Sequence, residues 1–482
     1  MAPVAISSRR VADLLRATTP AARPGLPAYQ GIAEGLRRLV ADGRILDGTR
    51  LPSERDLTAA LGVSRTTVAG AYAVLRDRGY LASRRGSGSV VTVPGEPSSG
   101  GPLYPSDGLG EVVDLSLAAP SAPPGMVEVF EEAVAGLAHH VGGSGYHPFG
   151  LAQVRERVAA RYATRGLPTD PDQIILTTGA LAGLSLALRG LIGPGDRVLM
   201  ESPTYPNAIA AVRDSGARTV GLPLDPSGLD PHALELALRQ SAARLAYLIP
   251  DFQNPTGILV DEDTRGLVGR ALRRQAAVAI VDETPAELLI DIEDVAMPRP
   301  LATFDDRVIT LGSASKTFWG GLRVGWVRAP LPDVPRLQQA RLSLDLGVPV
   351  LEQLVLATLL DRQGAVLEHR RAQLRRSRDA LVGALHDRLP DWRFSVPPGG
   401  LSLWCELPAP RSTALCDAAL PLGIRLAPGS AFGVGGGLES CVRIPFALEA
   451  EVLVGAVDGL ARAWRTAVEG PVRPAARASL VA

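Results

Sequence analysis

Ser313-Ala314-Ser315-Lys316-Thr317-Phe318-Trp319-Gly320-Gly321-Leu322-Arg323 holds the only lysine in a chain of 482 residues; every other member of its Lys/Arg set is arginine. That exclusion is chemically informative. A guanidinium keeps its proton near neutral pH, whereas a buried ε-amine can lose it, and a free amine condenses with an aldehyde to a Schiff base. A codon-biased composition that leaves one lysine by chance is the competing explanation. The residues upstream of Lys316, and the positions they occupy, decide between the two.

Upstream, apolar runs of strand length alternate with helical stretches, which predicts a mostly parallel sheet with helices on both faces. Five runs end in polar or glycine-rich residues. Residues 173–178 lead into Gly179-Ala180-Leu181, 197–200 into Glu201-Ser202-Pro203-Thr204-Tyr205, 245–249 to Asn254-Pro255-Thr256-Gly257, 277–281 to Asp282, and 308–311 to Ser313 and Lys316. Ligands of open α/β sheets bind beyond the carboxyl ends of the strands, so these groups are expected to meet in one crevice.

The residue types suit pyridoxal phosphate. Lys316 would form the Schiff base with its aldehyde, Asp282 would keep the pyridine nitrogen protonated, and Asn254 would bind the ring hydroxyl oxygen. Tyr205 would stack on the ring. The amides of Gly179, Ala180 and Leu181, opening a helix, would take the phosphate with help from Ser313, Ser315 and Arg323. Singly, each has a plainer reading as a turn, a helix cap, a core tyrosine or a paired arginine. Their occurrence in this order at five strand ends makes coincidence the poorer explanation.

This order of motifs resembles the fold-type I aminotransferases from about Asp114 to Glu469. The resemblance implies an α/β body over 114–470, with a large part at about 114–340 and a small C-terminal α/β part at about 341–470, followed by a tail at 471–482. It further implies that Tyr146, near Gly150, reaches the cofactor phosphate of a neighbouring subunit, hence a homodimer with shared sites. Arg443, in Cys441-Val442-Arg443-Ile444-Pro445-Phe446, matches the arginine that grips a substrate carboxylate. Two positions depart from the pattern. Relatives often carry a tyrosine two residues beyond the aspartate, where this chain has Thr284, counted here in the cofactor site but too short for the same reach. Gly320-Gly321 stand where relatives often have a proline-containing segment. The first departure argues against efficient turnover.

Before the body, residues 25–92 read as a separate domain in which arginines outnumber acidic residues. A helix from Ala28 closes near Gly43, Ser53 caps a second helix with Asp56 answering from its third position, and Gly62-Val63 bends the chain into a third helix capped by Ser64. Val68, Ala71, Tyr72 and Leu75 form its buried stripe. This is the helix-turn-helix geometry that presses a helix N-terminus into a major groove. Residues 80–92 read as a hairpin with a basic, glycine-rich tip. Leu51-Pro52-Ser53-Glu54-Arg55 and Leu61-Gly62-Val63-Ser64-Arg65 resemble the GntR-type winged helix-turn-helix. That resemblance implies DNA contact by Arg50, Glu54, Arg55, Ser64, Arg65, Thr66 and Thr67, with Arg84 and Gly86 on the wing.

Residues 1–24 are expected to be a flexible extension and 93–113 a Pro/Gly/Ser-rich tether. The basic run Arg370, Arg371, Arg375, Arg376 and Arg378 falls in a long helical stretch and is expected to be a solvated helix face rather than a second DNA patch. Cys405, Cys416 and Cys441 show no metal or disulfide spacing, so no metal site is expected. No signal peptide or membrane span is read, so a cytoplasmic location is expected. Winged helix, tether and aminotransferase-like body together resemble the MocR family of transcriptional regulators. The expected partners are a double-stranded DNA operator and an amino compound as effector, with pyridoxal phosphate itself an alternative signal. An active transaminase carrying a DNA-binding domain is the alternative function.

Overall fold

The computed structural model describes residues 6–18, 27–41, 45, 49–84, 88–92, 112–224, 228–435 and 437–469. They belong to two compact units. In the first, helices Ala28–Ala41, Glu54–Leu61 and Arg65–Asp77 precede an antiparallel hairpin of Leu81–Arg84 and Gly88–Val91. The Ser53 hydroxyl accepts the Asp56 amide, and Ser64 accepts the Thr67 amide, so each helix begins where a side-chain oxygen satisfies an unpaired N–H. Gly62 ends the second helix at φ 69°, a left-handed conformation that favours glycine. Val68, Ala71, Tyr72 and Leu75 are buried as the helical spacing predicts, and the Tyr72 hydroxyl donates to the Pro52 carbonyl at 2.9 Å.

The amino-terminal stretch departs from expectation. Ser8–Thr18 is a helix, and Val11 and Leu15 join the core formed by Leu36, Leu39, Leu57 and Leu75. Arg16 donates to the Ala60 carbonyl at 2.9 Å. Apolar residues one helical turn apart give this stretch a face to bury, so it is not the flexible extension expected for residues 1–24. Of the expected tether, residues 93–111 lie outside the described residues, as do 471–482 of the tail.

The body is built on a seven-stranded sheet. Its order is Ile174–Thr177, Gly325–Arg328, Ile309–Ser313, Val278–Asp282, Leu245–Leu248, Arg197–Ser202 and Arg218–Pro223. All neighbouring pairs are parallel except those of Gly325–Arg328, which runs antiparallel to both neighbours. The five strands read from the sequence are all present. Gly325–Arg328 and the edge strand Arg218–Pro223 complete the sheet.

The small part packs helices Gln363–Arg388, Ser412–Ala419 and Ala450–Glu469 with an antiparallel sheet of Ser402–Glu406, Cys441–Pro445 and Ala427–Pro428. Leu381, Leu385, Leu403, Ile444, Phe446, Leu453 and Leu460 form its core. Val113–Asp114 pairs in parallel with Ile424–Arg425, so the start of the body is stitched into its C-terminal part. Residue 113 thus belongs to the body and not to the tether.

The arginine run is only partly a solvated face: Arg375 and Arg376 are exposed, but Arg370 and Arg378 are not. Arg370 is 1% exposed and Arg378 6%. Arg371 donates to the Leu289 carbonyl at 3.0 Å and Arg375 to that of Ile290 at 2.5 Å, while Arg378 grips Asp291 through both terminal nitrogens at 2.7 and 3.0 Å. A loop laid over this face of the helix supplies acceptors that no periodicity could announce.

Candidate functional site

A cavity of about 340 Å³ opens beyond the carboxyl ends of the central strands. Eleven predicted residues line it: Gly179, Ala180, Leu181, Tyr205, Asn254, Asp282, Thr284, Ser313, Ser315, Lys316 and Arg323. Ten of them stand at or beyond the carboxyl ends of parallel strands, which the sheet turns to one side, and Arg323 reaches the same side because it precedes the antiparallel strand Gly325–Arg328.

Lys316 keeps some surface toward the cavity, but protein packs densely around it. Burial, reinforced by the charges of Arg443 and Arg323 and opposed by Asp282, pushes its ammonium down to about 8. A minor but usable fraction, on the order of a tenth at pH 7, is therefore a free amine, far more than for an ordinary lysine. The following residue is anchored: the Thr317 hydroxyl donates to Glu287 at 3.1 Å, and Glu287 also takes hydrogen bonds from Arg161 and Gln363.

Asp282 is 7% exposed, at the end of its strand. One carboxylate oxygen accepts the Tyr247 hydroxyl at 2.8 Å, and the other accepts the Thr284 amide at 2.9 Å. Burial and then the Asp282 charge hold the Tyr247 phenol well above its ordinary value, so it remains a donor. Sequence reasoning passed over Tyr247 as a strand residue. A hydroxyl in the otherwise apolar, fully buried run Leu245–Leu248 was the signal available.

At the opposite end, Gly179 precedes the helix Ala180–Leu191 at φ 101°. A Cβ there would stand 2.9 Å from an Arg323 terminal nitrogen, so only glycine lets the guanidinium close on this helix start. Arg323 donates to the Thr178 carbonyl at 2.9 Å, and Ser313 and Ser315 join hydroxyls at 3.0 Å. Backbone amides at a helix start, a guanidinium and two hydroxyls together make a phosphate-sized donor set.

Between these ends, the Tyr205 hydroxyl accepts from Asn207 at 2.9 Å, and burial raises its pKa. Thr284 lines the cavity with a buried hydroxyl oxygen that has no partner among the described residues. Below the Asn254 loop, Gln253 donates to Glu201 at 3.0 Å and to the Pro203 carbonyl at 2.8 Å, and accepts from the Thr256 amide and hydroxyl. Burial first of all raises Glu201 to about 7.

Two predicted residues are not on the cavity wall. Arg443 is fully buried; it donates to the Asn254 side-chain oxygen at 3.1 Å and to the Ser116 carbonyl, and its guanidinium lies 5.0 Å from the Phe432 ring centre. Its Nε has no acceptor among the described residues. The bond to Asn254 leaves that residue's amide group free to donate elsewhere. Tyr146 is 64% exposed and does not line its own chain's cavity. Ala118, Asn207, Phe252 and Ser402 also line it and carried no sequence motif.

In the first unit, Arg50, Arg55, Ser64, Arg65 and Thr66 are exposed, and Glu54 and Thr67 half-buried. Arg65 opens its helix. The Ser64 hydroxyl lies 2.8 and 2.7 Å from those of Thr66 and Thr67. Arg50 pairs with Val90 of the hairpin, which joins the segment leading into the helix Glu54–Leu61 to the wing. The Arg84 side chain and Gly86 lie outside the described residues. Among the described residues, no His/Cys/Asp/Glu group could hold a metal ion, and no helix is long and apolar enough to cross a membrane.

The fold and cavity place the body in a defined class: residues 115–460 match the family of aminotransferases class I and II, and residues 28–91 match the bacterial regulatory proteins of the gntR family. The chain belongs to the MocR-type regulators, in which these two parts are fused. It is 31% identical to the HTH-type transcriptional regulator YdcR of Escherichia coli, over 84% of this chain and 92% of that one. It is 32% identical to the HTH-type pyridoxine biosynthesis transcriptional regulator PdxR of Corynebacterium glutamicum, over 83% and 87%. Among solved structures, the α-aminoadipate aminotransferase LysN of Thermus thermophilus, complexed with N-(5'-phosphopyridoxyl)-L-leucine, matches with a TM-score of 0.68 and 31% identity, covering 74% of this chain and 93% of that one.

Proposed function

We propose that this regulator binds pyridoxal phosphate in the body's cavity and uses it to sense an amino compound, whose binding changes the affinity of the winged helix for an operator. One observation carries the reading: the chain's sole lysine faces a cavity holding a buried carboxylate at one end and a phosphate-sized donor set at the other. The donor chemistry fits the cofactor, and the orphaned Thr284 hydroxyl lies where a polar ligand would give it a partner. The cofactor, when bound, supplies an aldehyde for amine capture and a ring that withdraws electrons.

The chain's own residues do the rest. Lys316, with its lowered pKa, would hold the aldehyde through its uncharged amine and would yield that place to an incoming amine. Asp282, oriented by the Tyr247 hydroxyl and the Thr284 amide, holds a proton at the ring nitrogen. Asn254, its oxygen occupied by Arg443, donates its amide to the ring oxygen. Gly179, Ala180, Leu181, Ser313, Ser315 and Arg323 hold the phosphate, and Tyr205 covers the ring. Arg443 would take an effector carboxylate once a movement of the small part brings it from behind Asn254 to the cavity wall. Tyr146 completes the phosphate site of the partner in a homodimer. Val141, Leu342, Leu344 and Leu346 share its exposure, which suits apolar surface meant for a second copy. Arg50, Glu54, Arg55, Ser64, Arg65, Thr66 and Thr67 form the DNA face, with Arg84 and Gly86 of the wing, in a cytoplasmic protein.

A second reading, in which pyridoxal phosphate is itself the signal, draws on the likeness to a regulator of pyridoxine biosynthesis. One experiment separates them. Operator affinity is measured at fixed salt for the cofactor-free protein, the cofactor-loaded protein, and the loaded protein with a panel of amino acids and amines, while its visible absorbance is followed. Amine sensing requires a spectral shift that holds, together with an affinity change in the third state. A change complete in the second state transfers the signal to the cofactor. Bleaching of the band that a keto acid restores identifies a working transaminase.

A further inference from the structure

Arg370 presents a physical problem that the cofactor site does not explain. It lies in the second turn of the 26-residue helix Gln363–Arg388 and is 1% exposed. Its acceptors are all neutral: the Gln373 side-chain oxygen at 2.8 Å, the Ser121 carbonyl at 2.7 Å and the Phe318 carbonyl at 2.9 Å. Its Nε has no partner among the described residues. Removing a guanidinium from water is costly unless its charge is well compensated, and an apolar residue of similar volume avoids that cost. That cost marks the position as one where a role beyond stability is expected.

What Arg370 touches defines that contribution. Phe318 is two residues beyond Lys316, on the loop whose Phe318 amide closes back on the Ala314 carbonyl at 2.9 Å. Ser121 ends the stretch in which Ala118 and Ala119 line the cavity and the Ser116 carbonyl receives Arg443. Gln373, one turn further along the helix, passes the connection on by donating to Glu449 at 2.9 Å. Glu449 follows the Arg443 strand and starts the helix Ala450–Glu469, its carbonyl accepting the Leu453 amide at 3.1 Å. One buried cation thus joins the Lys316 loop, a segment of the cavity wall and the small part of the body.

We propose that Arg370, with Gln373 and Glu449, is a positioning hub: it holds the Lys316 loop and the 116–121 segment in register, so that a movement of the small part is felt at both. The inference rests on the reading of the cavity as an amine-sensing site, where it supplies the route by which effector capture is converted to a change of shape. A planar guanidinium suits the task because it directs several donors at fixed angles to separate carbonyls, which an ammonium does not.

The test is hydrogen exchange followed by mass spectrometry on the full-length chain without added ligand, comparing wild type, Arg370→Lys and Gln373→Leu. Gln373→Leu keeps the Arg370 guanidinium but removes its Gln373 acceptor together with the link to Glu449, so it decides the matter even if Arg370→Lys does not fold. Both variants are expected to exchange about tenfold faster in peptides covering 114–121 and 313–322, a local opening with the remainder of the body at wild-type rates. Wild-type exchange in either segment of Gln373→Leu, or uniform acceleration across the body, overturns the hub. Operator affinity of the same proteins, loaded with pyridoxal phosphate and titrated with the amine panel, gives the second arm. A response present in wild type and lost in Gln373→Leu supports the coupling; a response unchanged in Gln373→Leu overturns it. Absence of any response in wild type defeats the sensing reading and leaves the hub to the exchange data.

Discussion

Two sets of arginines in this chain, alike on paper, are put to opposite uses. Arg55 and Arg65 lie on short helices of the winged-helix unit and are exposed. Arg370 and Arg378 lie on one long helix of the body and are buried against carbonyls and Asp291. Both sets are basic residues at helical spacing, and either could have faced DNA. The difference is what lies over the helix: in the body the Ser121 and Phe318 carbonyls meet Arg370, and a loop through Leu289, Ile290 and Asp291 meets Arg371, Arg375 and Arg378, turning them into internal donors. An arginine's meaning is set by its covering rather than by its spacing.

The contrast breaks most sharply at Arg378. Replacing it with alanine leaves the Pro397 carbonyl without this donor and Asp291 with only the longer Arg375 pair at 3.8 Å, and should cost about 2–3 kcal/mol, less than a fully buried pair because Asp291 keeps some solvent. Urea unfolding of the body reads this loss, and operator affinity should not change. A shift within about 0.5 kcal/mol would return Arg378 to the solvated class.

Arg65→Ala should do the reverse. Operator binding at fixed salt is expected to weaken by roughly 1–3 kcal/mol if the guanidinium pairs with a guanine, with stability changed by less than about 0.5 kcal/mol. Unaltered affinity would remove Arg65 from the DNA face. A loss of affinity equal for all sequences would make it a phosphate contact instead.

The smallest effect concerns the one cation that is not arginine. Labelling of Lys316 by an amine-directed reagent in the cofactor-free protein, resolved from the N-terminal amine by mass spectrometry, should rise with pH around a midpoint of about 8 and not 10.5. Since the folded pKa lies below the unfolded one, the native state binds fewer protons between these values, and Lys316 should make stability rise with pH across that window. A midpoint near 10.5 would show that burial does not prepare this amine, and it would then behave as chemically silent as the arginines around it.

Much of the body was legible because period and punctuation agree there: apolar runs ended in Gly179, Tyr205, Asn254, Asp282 and Lys316, and parallel topology gathered those ends. The strand Gly325–Arg328 was missed because only pairing partners identify a short antiparallel insertion. Val113–Asp114 escaped for the same reason, since its partner Ile424–Arg425 lies far along the chain. The helix Ser8–Thr18 was hidden by composition, and Tyr247 by its place in an apolar run. Arg443 was correctly set on a strand, yet its seat behind Asn254 depends on how the small part closes.

From its letters alone, then, this chain already carried its reactive group and its two-part organisation, because an amine's chemistry and a helix cap's preference belong to residue types and short spacings. Folding in three dimensions settled which cations are buried, which loop crosses the long helix, and where Arg443 and Tyr146 stand relative to the cavity. Those outcomes depend on burial, and burial is a property of what other parts of the chain come to rest on a residue.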